Sequence, residues 1–254
     1  ILVARIKHKP VLLWGQGLGP LRYAWSRYLV GRVLNSAKSI TWRDSASMQL
    51  AKRIGITTTM SVAPDPVWSH QANDYQGGGN IVLCWRPTDL LTPRGWSLLL
   101  QAVDQLSDSK GKSVTWFAFH SNQDVNLLRT LSQKGLVPKR LEAKSSTIIA
   151  KNIEHAQDIF SDASLVVAMR LHAFILSTVS HCPTVALSYD PKVEAAAQTA
   201  DAPWLDLTHL PSLERIILQW SDCMSQIPSK PHLQSIQRQA YKHEQALKST
   251  LKDI

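Results

Sequence analysis

The stretch LVVAMRLHAFILSTVSHCPTVALSYDPK, residues 165–192, decides the fold. It opens with a short apolar run rich in valine, continuous enough for a strand buried on both faces. Residues 171–181 then read as a helix. PTVALSY repeats the strand pattern, and Pro191 begins another helix in its preferred first-turn position. Strand, helix, strand and helix joined by short connections describe a parallel sheet covered on both faces. Charge interrupts this pattern twice, each time where a strand passes into a helix: at Arg170-Leu171-His172 and at Asp190-Pro191-Lys192.

The same alternation extends in both directions. Upstream, residues 10–15 (PVLLWG), 39–42 (SITW) and 58–66 (TTMSVAPDP, running into a proline-bounded stop) read as strands, with helices over 20–37 and 45–54. Pro20 starts the first of these helices, and Gly55 ends the second. Residues 70–80, HQANDYQGGGN, are polar and glycine-rich and read as a linker. A second series follows, with strands at 80–85, 113–119, 165–169 and 183–189 and a weak one near 139–142. Its helices lie at 93–107, 122–134, 153–163, 171–181 and 191–200, then 210–224 and 231–252. The fold class is therefore α/β, in two separately wound lobes with parallel sheets: residues 1–72 and residues 78–254, the latter including the C-terminal helices. The chain begins with Ile and enters a strand almost at once, so the first lobe reads as N-terminally incomplete.

In open parallel sheets ligands bind beyond the carboxyl ends of the strands. The residues found there are Gly15-Gln16-Gly17, then Arg43 and Asp44, Arg86, His120 with Asp124 four residues on, Arg170 and His172, and Asp190 and Lys192. A basic side chain at a helix N-terminus opposes the helix dipole, so basic residues gathered there point to an anionic ligand. Arginine matches phosphate or carboxylate with a planar fork, and histidine can exchange a proton near neutral pH. Local roles compete with this reading: Arg43 can pair with Asp44, His120 can cap the helix after it, and the GQG turn can serve only close backbone approach. That turn has neither the Lys-Ser/Thr of a P-loop nor the spacing of a dinucleotide fingerprint.

The bulk numbers are those of an ordinary folded protein. The 254 residues are 44% hydrophobic and 19% charged, with a net charge of +9 and a pI near 9.6. The basic balance suits an anionic partner, but Lys and Arg form no run of five, which argues against a nucleic-acid tail. Cys84, Cys182 and Cys223 are widely spaced and form no CxxC, so they read as core residues in a reduced, cytoplasmic compartment. No metal-ligand spacing and no membrane-spanning run is present in the sequence.

The segments GQGLGPL, WRDSASMQLAKRIGI, APDPVW, CWRP and MRLHAFILSTVSHCPTVALSYDPKV, taken in order, resemble the polysaccharide pyruvyltransferases of the CsaB type over residues 11–194. The resemblance implies a GT-B-like fold of two Rossmann-like lobes. It also implies transfer of a pyruvyl group from phosphoenolpyruvate, as co-substrate, to a sugar or lipid-linked saccharide as a ketal, in cell-wall or exopolysaccharide synthesis. No cofactor, metal or nucleic acid is expected, and a peripheral association with the inner membrane face is compatible with such an acceptor. By the same resemblance Arg43, Arg170 and His172 match donor-site residues and Lys192 a family lysine, with Arg86 and Asp44 as further matches. Family members open with a GNxGD-like segment that has no counterpart here. A GT-B glycosyltransferase with a nucleotide-sugar donor is the alternative, because the same cations would grip a diphosphate.

Overall fold

The structure is a computed structural model and describes residues 1–71 and 73–252. Ala72, the expected end of the first lobe, and the last two residues of the expected second lobe lie outside the described residues. The chain divides into two compact units, Ile1–His70 together with the C-terminal segment from Gln234, and Gln71–Leu233.

The first unit holds strands β1 (Leu12–Gln16), β2 (Ser39–Trp42) and β3 (Thr59–Val62), parallel and in that order. The helices Ala24–Leu34 and Ser45–Arg53 make the crossovers. Leu34, Ile40, Trp42, Ala51 and Ile56 form its core. The first helix starts at Ala24 and not at Pro20. Gly19 takes φ +101° and the Leu18 N–H donates to Ser47 Oγ at 2.8 Å, which holds residues 17–23 as a loop. Gly31 sits inside this helix because a Cβ there would lie 2.9 Å from the Ile54 carbonyl oxygen.

The C-terminal segment differs from expectation. Residues 231–252 are two helices, Lys230–Ala240 and Lys242–Lys252, and the second packs on β1 and β2 of the first unit. Buried His243 places Nε2 2.8 Å from the Pro64 carbonyl, and the Ser39 and Thr250 hydroxyls are 3.0 Å apart. An amphipathic sequence shows that a helix needs an apolar partner; it does not show which unit supplies one.

The second unit holds β4 (Ile81–Cys84), β5 (Val114–Ala118), β6 (Ser145–Ile149), β7 (Leu165–Ala168), β8 (Thr184–Ser188) and β9 (Trp204–Asp206). All are parallel, in the order β6-β5-β4-β7-β8-β9. Counted from β4, this is the 3-2-1-4-5-6 order of the Rossmann fold, and the chain reverses direction across the sheet between β4 and β7. Every residue of β4, β7 and β8 is buried, as strands covered on both faces require.

Three details depart from the sequence reading. The weak strand expected near 139–142 is the helix Lys139–Ala143, whose Arg140 pairs with Asp104 at 2.8 Å and Asp108 at 2.6 Å. The strand is the SSTII that follows, with β-branched Thr147, Ile148 and Ile149, an edge strand whose partial exposure hides its pattern. The three-residue β9 is too short to leave a periodic signal. The expected linker is fastened to the second unit: the Gln76, Gly77 and Gly79 amides donate to the carbonyls of Ser161 and Asp162 at 2.8–2.9 Å.

The three cysteines are free and buried, and burial pushes each thiol above its ordinary range, Cys223 to about 12. Among the described residues no helix is long and apolar enough to cross a membrane.

Candidate active site

The crevice of a doubly wound sheet opens beyond the carboxyl ends of the strands where the strand order reverses. In the second unit that point lies between β4 and β7, which are paired through Cys84 and Ala168. β4 delivers Arg86 and β7 delivers Arg170 and His172. β8, paired with β7 through Ala168 and Ala186, delivers Tyr189, Asp190 and Lys192. The sheet therefore gathers Arg86, Arg170, His172, Asp190 and Lys192 on one edge, with His120 at the end of neighbouring β5.

Arg170 occupies the N-cap position of the helix Leu171–Val179 and makes no side-chain capping bond. Serine, threonine or aspartate would ordinarily sit there and accept a first-turn N–H. Arginine carries only donors, so it leaves this helix end electropositive. Its own side chain points to the β5 turn instead. Nε donates to Asp124 Oδ2 at 3.1 Å, and Nη2 donates to Asp124 Oδ1 at 2.5 Å and to Gln123 Oε1 at 2.8 Å. Asp124 is buried, and its Oδ2 also accepts the His120 N–H at 2.9 Å. The fork expected to face a ligand is thus filled by a carboxylate on its Nε–Nη2 edge.

Arg86 lies over the Tyr189 ring, 5.0 Å from the centroid, and its Nη1 donates to the Tyr189 hydroxyl at 3.3 Å. Lys192 Nζ is 3.2 Å from Asp190 Oδ2, while Asp190 Oδ1 caps the helix Pro191–Thr199 by accepting the Lys192 N–H at 3.0 Å. Asp190 is therefore a cap and counter-charge. His172 is exposed in the first turn of its helix. His120 stands at the N-cap position of Ser121–Asp124 without a side-chain capping bond, so the cap expected of it is not made.

The first unit brings the remaining residues together around β1 and β2. The Gly15 N–H donates to Thr41 Oγ1 at 2.8 Å, and the Arg43 N–H donates to the Gln16 carbonyl at 3.0 Å. The Gln16 side chain turns back to the Trp14 carbonyl. The Arg43 guanidinium lies 3.6 Å from Asp65 and 4.0 Å from Asp44. Asp44 caps the helix Ser45–Arg53 through Ser47 N–H at 2.6 Å. The glycines have separate reasons. Gly15 takes φ +59° and its missing side chain would overlap Pro66, while a Cβ on Gly17 would lie 2.8 Å from Arg43 Nη2. Gly15→Ala should cost about 3 kcal/mol of stability, from left-handed strain plus overlap with a ring. Gly17→Ala should cost about 1 kcal/mol, since only a guanidinium must move. Urea unfolding of the two variants measures the difference, and equal losses would contradict it.

Sequence reasoning missed Asp124 as the partner of Arg170, Tyr189 as the platform under Arg86, and Asp65 beside Arg43. Asp65 had a signal in APDP, where aspartate before proline starts a turn. Asp124 and Tyr189 are reached only through strand order. A cleft of 540 Å³ lined by Arg94, Ser97, Leu98, Gln101 and the Leu210 turn contains none of these side chains.

The profile of the family described as Polysaccharide pyruvyl transferase matches residues 1–191, from the first residue through Asp190 and its following proline. The chain belongs to this family. In this pyruvyl transferase family member the match takes in Arg43, Arg86, Arg170 and His172, and Lys192 lies one residue beyond it. No curated protein matches the sequence. Solved structures share the fold. The Anabaena protein HepE in complex with UDP-glucose matches all of this chain and 75% of its own, at TM-score 0.62 and 11% identity. The UDP-GlcNAc 2-epimerase from Methanocaldococcus jannaschii matches 98% of this chain and 72% of its own, at TM-score 0.70 and 10% identity. The putative UDP-N-acetylglucosamine 2-epimerase from Listeria monocytogenes matches all of this chain and 71% of its own, at TM-score 0.67 and 12% identity. At these identities the likeness is one of fold, α/β with parallel sheets and GT-B-like.

Proposed function

We propose that this family member transfers a pyruvyl group from phosphoenolpyruvate to a saccharide, and that the carboxyl edge of β4, β7 and β8 holds the donor. The observation that carries the reading is the helix Leu171–Val179, which begins at the strand-order reversal with an arginine where a capping acceptor belongs. Phosphoenolpyruvate brings a phosphate and a carboxylate. Arg86, Lys192 and the first turn of this helix offer positive ends for both. Asp124 holds Arg170 on its Nε–Nη2 edge, and in this reading Nη1 is the end offered to the donor.

The reaction needs a proton on the methylene carbon of the donor and a sugar hydroxyl on the adjacent carbon. Phosphate then leaves, and a second hydroxyl of the same sugar attacks that carbon to close the ketal. His172 is the proton-exchanging group in this reading, and the cations stabilise the departing phosphate. Arg43 lies against Gly17 and beside Asp65 and Asp44, and its part in this reading is to brace the GQG turn. Cell-wall or exopolysaccharide synthesis is the setting that such a product fits.

The test is incubation of the full chain with phosphoenolpyruvate and candidate saccharides, followed by assay of phosphate and of product mass. Phosphate released in step with a pyruvylated product supports the reading. Consumption of a nucleotide sugar in its place would transfer support to the glycosyltransferase alternative, which the UDP complexes among the fold relatives keep in view.

A further inference from the structure

Lys and Arg run the length of the chain, but Asp and Glu do not. The first 43 residues hold eight Lys and Arg and no Asp or Glu, so almost the whole net charge of +9 arises there. The same segment exposes large apolar side chains. Ile6 is 77% exposed, Trp25 67% and Tyr28 68%, and Val3, Tyr23 and Leu29 are exposed as well. On the helix Ala24–Leu34 the outward stripe is Trp25, Tyr28, Leu29 and Arg32, at the spacing of a single face, while Gly31 and Leu34 face the core. Tyr23 stacks on Trp25 with centroids 6.3 Å apart, and the Arg32 guanidinium lies 6.0 Å from the Tyr28 ring centroid. Arg5, Tyr28 and Arg32 line one cleft, which sets the helix Leu2–Ile6 beside Ala24–Leu34.

We propose that this face rests on an anionic lipid bilayer. Tyr and Trp have the amphipathic rings that settle at headgroup depth, and arginines beside them meet lipid phosphates and carboxylates. Charge complementarity selects an anionic surface, because no acidic residue occurs in the segment to oppose it. The aliphatic side chains select a bilayer over a nucleic acid. Tyr23, Trp25 and Tyr28 could stack on bases, whereas Val3, Ile6 and Leu29 gain nothing from stacking and are satisfied by acyl chains. The inference is independent of the donor chemistry.

Cosedimentation of the full chain with phosphatidylcholine vesicles, with and without phosphatidylserine, tests it at about 0.1 M and about 0.5 M salt. The chain should pellet with the anionic vesicles and be released by the higher salt. Trp25→Ser with Leu29→Ser, and separately Arg5→Gln with Arg32→Gln, should each weaken binding by about tenfold or more. Arg129→Gln, an exposed change in the second unit, should leave it unaltered. Quenching of tryptophan fluorescence by brominated lipid gives an independent reading: Trp25→Phe should be quenched less than the parent. The proposal is overturned if the parent stays in the supernatant or binds both vesicles equally. It is equally overturned if the paired substitutions leave binding intact, or abolish RNA binding or self-association in a chain that ignores vesicles.

Discussion

His172→Ala is expected to fold as the parent does and to lose a factor of about 10²–10⁴ in turnover with phosphoenolpyruvate. The fold should survive because His172 is exposed, in the first turn of a helix whose buried residues begin at Ala173. Surface substitutions of this kind usually change stability by about 0.5 kcal/mol or less. Turnover should fall because no other imidazole follows β7 or β8 on the proposed donor edge. The measurements are a urea denaturation curve and a steady-state rate of phosphate release. Parental turnover in a folded variant would remove His172 from the chemistry and leave the donor edge as a binding surface only.

Asp124→Ala is expected to destabilise the chain by about 3 kcal/mol, the lower end of the cost of breaking a buried ion pair by removing one partner. Asp124 has a side-chain exposure of 1% and Arg170 of 15%, so the arginine left behind is mostly desolvated. The change also strips the His120 N–H of its acceptor and frees the β5 turn from β7. Asp124→Asn keeps the shape and one acceptor oxygen, and should cost less. In both variants the donor should bind more weakly, because the Arg170 edge facing it is no longer held. A larger fall in urea midpoint for Asp124→Ala than for Asp124→Asn fits this order. Stability equal to the parent in both would show that the pair contributes nothing to the second unit.

Much of the architecture was legible because parallel strands buried on both faces leave short, continuous apolar runs. IVLC, LVVA and TVALS are such runs, and each is wholly buried. Their ends were legible too, since charge appears abruptly after them at Arg86, Arg170 and Asp190. The pairing of those charges was not. Asp124 and Arg170 stand 46 residues apart and meet only because β5 lies beside β4 and β4 beside β7, an order that local pattern does not encode. Lys139–Ala143 was misread because a short polar helix and a short edge strand both lack a full period. The last helix lies in the first unit and not in the expected second lobe, because an apolar stripe alone does not say which sheet it packs on. Sequence reasoning did not single out the acid-free first 43 residues, because their Lys and Arg form no run; their meaning rests on the exposure of Trp25 and Tyr28.

The most direct measurement is the melting temperature of the full chain with phosphoenolpyruvate and, separately, with a UDP-sugar. Ligand at a hundred times its dissociation constant stabilises by about 2.7 kcal/mol, which for a chain of this size is a rise of about 5 °C or more. A donor edge built from Arg86, Arg170, His172 and Lys192 predicts that rise with phosphoenolpyruvate, its reduction in Arg86→Ala, and no rise with the UDP-sugar. A rise with the UDP-sugar alone would contradict it.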